Sequence, residues 1–193
     1  MRRSAVFLDR DGVINRSLVR DGKPYAPRRL ADFRLLPGVT RAVDKLRAAG
    51  FLIVVVTNQP DIGNDLVDAP IVDAMHARLR AKIRIDSIMV CPHRQDAGCA
   101  CRKPKPGMLL GAAARYDVDL GASYMIGDRY KDVEAGRHAG CRTVWIRVTG
   151  QDSREPSGPA DYEAPTLAEA AAWILRRAVA PGPPGNDDIL RSI

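Results

Sequence analysis

A short apolar segment that ends abruptly in two aspartates is the feature that most constrains this chain. Ala5 to Leu8 is apolar throughout, which is typical of a strand buried in a parallel sheet. Asp9 and Asp11 follow directly, and Gly12 permits a sharp turn behind them. In open α/β sheets, ligands bind at the edge where the strands end. The segment therefore predicts two carboxylates at a binding edge, although an Asp-rich turn without chemical function has the same pattern.

Beyond this segment, apolar strand-like runs alternate with stretches of helical periodicity. The run from Phe51 to Val56 is apolar on both faces, which is typical of a central parallel strand. Further strands are predicted at 85–90, 124–128 and 141–148, and helices at 39–49, 71–83, 106–116, 132–140 and 166–179. A chain that alternates in this way folds as an α/β protein, and we predict a doubly wound parallel sheet of five strands.

Length and composition favour one globular domain. With 193 residues, 46% of them hydrophobic, the chain can bury a sizeable core. We predict a single domain over residues 1–179 without a large inserted cap, and a flexible tail rich in Pro and Gly at 180–193. No apolar run approaches the roughly 20 residues that span a bilayer, and no secretory apolar segment follows the basic first residues. We expect a cytoplasmic protein without membrane contact, and a monomer.

Charge narrows the class of partner. The formal net charge of +7 comes from 30 basic and 23 acidic residues, and a basic protein can bind nucleic acid or small anions. The basic residues are scattered, however, and no lysine-rich run alternates with aromatic residues. We therefore expect an anionic small-molecule substrate and no nucleic acid. The alternative from another class is a zinc module that binds nucleic acid through its basic surface without catalysis.

Three of the four cysteines lie within eleven residues and predict a metal site. Cys91, His93, Cys99 and Cys101 form the pattern C-x-H-x5-C-x-C, and three thiolates with one imidazole make a closed tetrahedral set typical of structural zinc. The alternative is a chance grouping of reduced, buried cysteines. Cys141 stands apart at a strand start, where we expect it to be buried as a small apolar residue. The other two histidines, His76 and His138, are expected on exposed helix faces.

Polar clusters follow four of the predicted strands. Because the carboxyl ends of parallel strands meet at one edge, residues that are distant in sequence should converge there. Each cluster has an alternative: Thr57 and Asn58 could form a plain turn, and Asp128 could cap a helix. Arg102 and Lys103, just after the zinc pattern, could be ordinary surface charges. The four clusters are Asp9 with Asp11, Thr57 with Asn58, Cys91 with His93, and Asp128 with Asp132.

In this order, D-R-D-G-V, V-V-V-T-N-Q, R-K-P and G-D-x-x-x-D resemble the four motifs of haloacid dehalogenase (HAD)-type phosphohydrolases. Within that superfamily, C-P-H…C-A-C-R-K-P-K-P-G-M resembles a small zinc-containing subgroup. The subgroup holds D-glycero-D-manno-heptose 1,7-bisphosphate phosphatases and histidinol-phosphate phosphatases. The resemblance covers roughly residues 5 to 150, and it implies a HAD-like sheet and a magnesium-dependent phosphatase that also contains zinc.

The resemblance also implies a role for each matching residue. Asp9 would be the nucleophile that forms an aspartyl-phosphate, and Asp11 the general acid and then the general base. Mg²⁺ would be held by Asp9, the backbone carbonyl of Asp11 and Asp128. Asp132 would either hold a metal-bound water or orient Lys103. In the remaining roles, Thr57 and Lys103 would stabilise the phosphoryl group, and Asn58, Gln59, Arg102 and Arg129 would bind substrate.

The substrate is less sharply indicated than the reaction. The heptose enzymes carry a basic residue shortly after T-N-Q, whereas this chain has acidic residues within 60–65. The zinc loop at 91–101 is short, as in the histidinol-phosphate enzymes, but K-P-K-P-G-M resembles the heptose side. We predict hydrolysis of the heptose 1,7-bisphosphate to heptose 1-phosphate, a step toward ADP- or GDP-heptose and lipopolysaccharide precursors. Histidinol phosphate is the alternative substrate.

Overall fold

Strands and helices alternate along the chain in the computed structural model, which describes residues 2–20, 22–147 and 154–179. The strands are β1 Ala5–Leu8, β2 Leu18–Arg20, β3 Lys23–Tyr25, β4 Leu52–Asn58, β5 Ser87–Cys91, β6 Tyr124–Gly127, β7 Arg142–Ile146 and β8 Tyr162–Ala164. The helices are α1 Val39–Ala48, α2 Pro60–Gly63, α3 Ala69–Lys82, α4 Gly107–Tyr116, α5 Tyr130–Ala139 and α6 Leu167–Val179, with a 3₁₀ turn at Leu30–Asp32.

Six strands form one parallel sheet in the order β5-β4-β1-β6-β7-β8. β1 lies in the interior of the sheet, with Phe7 in register with Val54 of β4 on one side and Met125 of β6 on the other. Because β1, β4 and β6 run in the same direction, their carboxyl ends lie together. The residues that follow these three strands are therefore neighbours in space.

The sheet is buried on both faces, as the continuous apolar runs predict. Val6 and Leu8 pack into a core formed with α1, α3 and α6. Ala5 and Phe7 point the other way, into a second core formed with α4 and α5. Burial on both faces holds β1 rigidly, and rigid strands hold the residues at their ends in fixed positions.

The predicted α/β class and parallel sheet are confirmed, but the strand number was wrong, because the sheet has six strands rather than five. The extra strand, β8, has only three residues, and one of them is Glu163. Because β8 contains no apolar run, the sequence pattern does not predict it, and only its pairing with β7 shows that it is a strand. The polar stretch from 15 to 32, where the sequence pattern predicts neither helix nor strand, contains the antiparallel hairpin of β2 and β3. A proline in β3 hides this hairpin from sequence patterns.

Several other helix boundaries lie close to the positions that the sequence predicts. Helix α1 ends before Gly50, whose φ of 90° suits a glycine after a helix. The amide of Glu169 donates to the hydroxyl of Thr166 at the start of α6, which is half of a capping box. The strand end at Val148 and the predicted tail lie outside the described residues, so the flexible tail and the domain boundary at residue 179 stay predictions.

No large cap interrupts the sheet between β4 and β5, a stretch that the structure describes in full and that holds only α2 and α3. In the described ranges we find no helix that combines the length and apolarity needed to cross a membrane. Of the residues outside the site, Cys141 is 7% exposed, as predicted. His138 is exposed on α5, also as predicted.

The expected exposure of His76 was wrong, because its side chain is buried, with 8% exposed. α3 packs onto the sheet through Met75 and Leu79. His76 is adjacent to this face and turns inward to meet Arg10.

Candidate active site

The carboxyl ends of β1 and β6 bring three aspartates together. Asp9 follows β1, Asp128 follows β6, and Asp132 lies in the first turn of α5. One carboxylate oxygen from each lies within 4.8 Å of the others, and all three side chains are buried. The predicted convergence of these strand ends is therefore observed. Asp128 does not cap α5, since Arg129 occupies the N-cap position.

Lys103 is the cation within this cluster. Its Nζ donates to Asp9 Oδ1 at 2.7 Å and to the carbonyl of Val56 at 2.8 Å, and it lies 2.6 Å from Asp132 Oδ1. These three acceptors match the three protons of the ammonium group. With 2% of its surface exposed, Lys103 is not an ordinary surface charge. Burial opposes its charge, but Asp132 and Asp9 outweigh burial and raise the pKa of Lys103, which stays protonated.

One lysine cannot compensate three carboxylates. Burial raises the pKa of Asp9 to about 6 despite the attraction of Lys103, and Asp132 and Asp11 add repulsion. Burial, then Asp9 and Asp132, raises the pKa of Asp128 well above its ordinary value. A divalent cation would relieve this repulsion and favour the ionised forms of Asp9 and Asp128.

Two local features of the aspartate cluster fit such a cation. Asp128 Oδ1 is buried and has no hydrogen-bond partner. Gly12, with φ of +96°, passes so close to the Asp128 carboxylate that any side chain at this position would collide with it. The donor atoms are carboxylate oxygens, which suit Mg²⁺ better than soft metals.

Asp11 lies in a different environment from Asp9. Arg10 donates to both of its carboxylate oxygens, at 2.9 and 3.1 Å from Nη2. Asn15 and Gln59 each donate to it at 2.8 Å. Burial alone would raise the pKa of Asp11, but the Arg10 charge and these hydrogen bonds lower it overall. Two aspartates one residue apart are thus held differently, with the pKa of Asp9 raised and that of Asp11 lowered.

The polar residues at the end of β4 support these side chains. Asn58 makes two hydrogen bonds with the backbone of Lys103, each 3.1 Å long. Its Oδ1 accepts from the amide of Lys103, and its Nδ2 donates to the carbonyl. Gln59 Nε2 donates to Thr57 Oγ1 at 2.9 Å as well as to Asp11. Gln59 is 1% exposed and lies behind the pocket, while Asn58 lines it. Thr57 and Asn58 end a strand and do not form a plain turn.

A pocket of about 290 Å³ opens above Asp9, Asp11, Lys103 and Asp132. Arg129 sits on its rim and donates to the carbonyl of Pro24 in the hairpin at 2.8 Å. The ion pair between Arg28 and Asp61, at 2.7 Å, joins the segment after the hairpin to α2. The other lining residues are Pro24, Tyr25, Ala26, Asn58, Pro60, Asp61, Gln95, Arg102 and Lys131.

The predicted zinc ligands also meet. Cys99 Sγ lies 3.6 Å from Cys91 Sγ and 3.5 Å from Cys101 Sγ. His93 Nδ1 lies 3.7 Å from Cys91 Sγ and 3.2 Å from Cys101 Sγ. Ligands about 2.0–2.3 Å from one tetrahedral centre are separated by roughly 3.5–3.8 Å, so this cluster fits zinc. Chance burial of reduced cysteines does not explain an imidazole nitrogen aimed at two thiols.

Sequence reasoning missed several residues of the site. Arg10 stands between the two aspartates, but no sequence pattern showed that its side chain turns inward. His76 could have been found, because it falls with Val72 and Leu79 at the i, i+4, i+7 spacing of the apolar face of α3. Asn15 and Lys131 carry no pattern of their own.

The fold is a parallel α/β sheet, and its strand ends bring together a candidate aspartate nucleophile, a buried lysine and carboxylates that can hold a cation. These features define a HAD-like hydrolase. Residues 100–170 match the family model described as HAD-hydrolase-like. A D-glycero-beta-D-manno-heptose-1,7-bisphosphate 7-phosphatase of Pseudomonas aeruginosa is 39% identical over 186 residues, covering 91% of this chain and 100% of the relative. The D-glycero-alpha-D-manno-heptose-1,7-bisphosphate 7-phosphatase of Mycobacterium tuberculosis is 43% identical, covering 88% and 90%.

A solved structure agrees with these sequence relatives. The D,D-heptose 1,7-bisphosphate phosphatase of Bordetella bronchiseptica, crystallised with magnesium and phosphate, superposes with a TM-score of 0.78. It is 33% identical, with 90% of this chain and 99% of that chain covered. The chain belongs to the D-glycero-D-manno-heptose-1,7-bisphosphate 7-phosphatase family of HAD-like hydrolases.

Proposed function

We propose that this protein is a magnesium-dependent phosphatase that removes the 7-phosphate of D-glycero-D-manno-heptose 1,7-bisphosphate. The observation that carries the proposal is the buried contact of Asp9 with Lys103 at the floor of a pocket with arginines at its rim. A carboxylate held by a lysine beside a cation site suits attack on an anionic phosphate. The names of the family members supply the substrate.

Asp9 is the nucleophile in this proposal. Lys103 binds its Oδ1, so we assign Oδ2 as the atom that attacks phosphorus. The new P–O bond forms as the bond to the sugar oxygen breaks, which gives an aspartyl-phosphate and an alkoxide. Asp11 must carry a proton for this step, and the negative charge of the bound phosphate favours its protonated form. Asp11 gives this proton to the alkoxide. It then takes one from the water that attacks the aspartyl-phosphate, which releases inorganic phosphate, restores Asp9 and leaves Asp11 protonated for the next turnover.

The surrounding residues keep the phosphoryl group in place. Lys103 presents a fixed positive charge, and the hydroxyl of Thr57, which accepts from Gln59, has its proton left to donate to a phosphoryl oxygen. Asn58 holds the backbone of Lys103, and Asp132 holds its ammonium group. The direct contact favours orientation of Lys103 over a metal-bound water as the role of Asp132.

Mg²⁺ fits the cluster described above. Asp9, Asp128 and the backbone carbonyl of Asp11 are the groups that we assign to hold it. When bound, it would offset the negative charge that the nucleophile and phosphate bring together.

The second phosphate of a bisphosphate needs cations outside this cluster. Arg102 and Lys131 line the pocket, and Arg129 is fixed at its rim through the hairpin. A planar guanidinium binds phosphate through two donors, which suits Arg102 and Arg129 to the phosphate at carbon 1. Gln59 lies behind the pocket, and we assign it to Asp11 rather than to substrate.

Zinc has a structural role in this proposal. Cys91, His93, Cys99 and Cys101 supply all four ligands, so no position stays open for a reacting water. Cys101 is followed directly by Arg102 and Lys103. The metal would therefore fix the segment that delivers both cations to the pocket.

Phosphate release tests the proposal directly. The purified protein with Mg²⁺ is given the α and β anomers of the heptose 1,7-bisphosphate, and separately histidinol phosphate. We expect the highest kcat/KM with one of the heptose anomers, and loss of activity when Mg²⁺ is removed with EDTA and restored on adding it back. A preference for histidinol phosphate would overturn the substrate. Nucleic-acid binding without phosphate release would favour the non-catalytic zinc module.

A further inference from the structure

Arg10 has no role in the chemistry proposed above, although it lies between its two aspartates. Its side chain is 0% exposed. A buried guanidinium is costly unless its N–H groups find acceptors and its charge finds a partner. The acceptors that Arg10 finds indicate what it does.

The first acceptor is the Asp11 carboxylate. Nη2 of Arg10 reaches both oxygens, at 2.9 and 3.1 Å, and Nε reaches Oδ1 at 3.2 Å. Asn15 and Gln59 bind the same carboxylate, each at 2.8 Å. Rotation of the carboxylate would break several of these bonds together, so Asp11 is held in one orientation.

The second acceptor is His76. Nη1 of Arg10 lies 3.0 Å from Nε2 of His76. A guanidinium can only donate, so Nε2 must carry its lone pair and the ring proton must be on Nδ1. Burial, reinforced by the Arg10 charge, lowers the pKa of His76 to about 4, which keeps the ring neutral near pH 7. His76 thus accepts a hydrogen bond on the side of the guanidinium that Asp11 does not contact.

The remaining surroundings leave Arg10 little freedom. The Phe33 ring centroid lies 5.7 Å from the guanidinium carbon. α3 carries His76 and is anchored to the core by Met75 and Leu79, both 0% exposed. The orientation of Asp11 is therefore tied to a helix whose residues do not enter the pocket.

We propose that Arg10 and His76 are positioning residues for the acid/base step: His76 fixes the guanidinium of Arg10, and Arg10 fixes the carboxylate of Asp11. This inference rests on the proposed function, because it takes Asp11 as the group that protonates the leaving oxygen. It assigns neither residue a contact with substrate.

Positioning of a general acid has a consequence that a purely structural role lacks. A strongly basic leaving group needs a proton as its bond to phosphorus breaks, whereas a weakly basic one can leave as an anion. Misplacing Asp11 should therefore slow hydrolysis of phenyl phosphate much more than that of 4-nitrophenyl phosphate. The heptose ester, whose leaving group is an alkoxide, should behave like phenyl phosphate or more strongly.

The experiment compares two variants of His76. In His76→Leu the hydrogen-bond acceptor is lost, whereas in His76→Gln the amide oxygen can still accept from Arg10. We expect His76→Leu to lower kcat for phenyl phosphate by about 10–100-fold and for 4-nitrophenyl phosphate by less than about 3-fold. His76→Gln should recover most of the difference. Met75→Leu, a volume-conserving change next to His76 without a hydrogen-bonding group, is the control and should keep both rates.

Several results would overturn the inference. One such result is a loss of kcat in His76→Leu that is equal for both aryl esters. Another is a loss in His76→Gln as large as that in His76→Leu. Either would show that His76 only supports folding. Arg10→Lys gives a second test, with a larger selective loss expected, and the His76 pair decides the matter if that variant does not fold. A wild type that cleaves the aryl esters but not the heptose bisphosphate would overturn the proposed substrate alone. A wild type that cleaves none of the three esters would overturn both proposals.

Discussion

The ammonium group of Lys103 lies 2.7 Å from a carboxylate oxygen of Asp9, although 94 residues separate them in sequence. Asp9 is held by a strand buried on both faces, and Lys103 follows the Cys/His cluster. Asn58 clamps the backbone of Lys103 from β4. Three segments that are distant from one another in sequence thus determine one ion pair.

Asp9→Asn should lower kcat by at least about a thousandfold, because an amide cannot attack phosphorus as the carboxylate does. Thermal stability should change little, since the substitution also removes one charge from a group of buried carboxylates. Phosphate release and thermal melting measure the two effects. Asp44→Asn, at an exposed position of α1, is the matched control. Retention of more than a few per cent of activity in Asp9→Asn would exclude an aspartyl-phosphate on this residue.

Lys103→Met should reduce the free energy of unfolding by about 3–5 kcal/mol, because Asp9 and Asp132 would lose their buried partner. Activity should fall as well. Lys105→Met, two residues away at an exposed position, should cost less than about 1 kcal/mol. Urea titration of the metal-free proteins measures both changes. Equal stability of the two variants would mean that the buried ion pairs contribute nothing.

Metal analysis should find about one zinc per chain in protein purified without chelators. Cys99→Ser should lower both the zinc content and the melting temperature, because binding to a structural site contributes to folding. Cys141→Ala, which removes a buried thiol away from the cluster, should keep the zinc. A zinc-free protein with unchanged stability and activity would contradict this prediction.

The stability of the protein should depend on His76 at acid pH. In the folded state burial holds the pKa of His76 at about 4, compared with an ordinary value of 6.5. Between these values the unfolded chain binds a proton that the folded protein does not, so lowering the pH through this window favours unfolding. Above about pH 6.5 the ring is neutral in both states and contributes no pH dependence.

His76→Gln should therefore lose less stability than wild type between pH 6.5 and 4, by on the order of 1–3 kcal/mol. Asp9, with its pKa raised to about 6, acts in the opposite direction over part of this range. It is present in both proteins, so the difference between them isolates His76. Urea titrations at several pH values provide the measurement, and His138→Gln controls for loss of an imidazole as such. Parallel pH curves for His76→Gln and wild type would contradict a buried neutral ring.

Arg102→Ala should weaken hydrolysis of the bisphosphate more than that of a monophosphate such as histidinol phosphate. Loss of one charge-assisted contact to the second phosphate costs about 1.5–3 kcal/mol, or roughly ten- to a hundredfold in kcat/KM. Arg94→Ala, in an exposed pair with Asp96, is the control and should affect neither substrate. Equal losses on both substrates in Arg102→Ala would place Arg102 at the transferred phosphate instead.

Much of the fold and of the site follows from local sequence. Apolar runs such as 52–56 must be buried on both faces, which determines a parallel sheet, and polar residues at the strand ends must then converge. Asp9, Thr57 and Asp128 lie at the strand ends where these apolar runs predict them. The Cys/His spacing likewise determined the cluster of Cys91, His93, Cys99 and Cys101, because its four members lie within eleven residues.

Only the tertiary structure decided features that depend on contacts between distant segments. β8 is a strand because β7 offers it an edge, and its three residues carry no signal alone. The contacts of Asn58 with the backbone of Lys103 and of Gln59 with Asp11 are likewise visible only in the folded chain. Composition and periodicity determine which residues must leave water, whereas the partner of a buried polar group depends on which segment packs over it. The meeting of Arg10 with His76, 66 residues apart, is therefore a property of the folded chain.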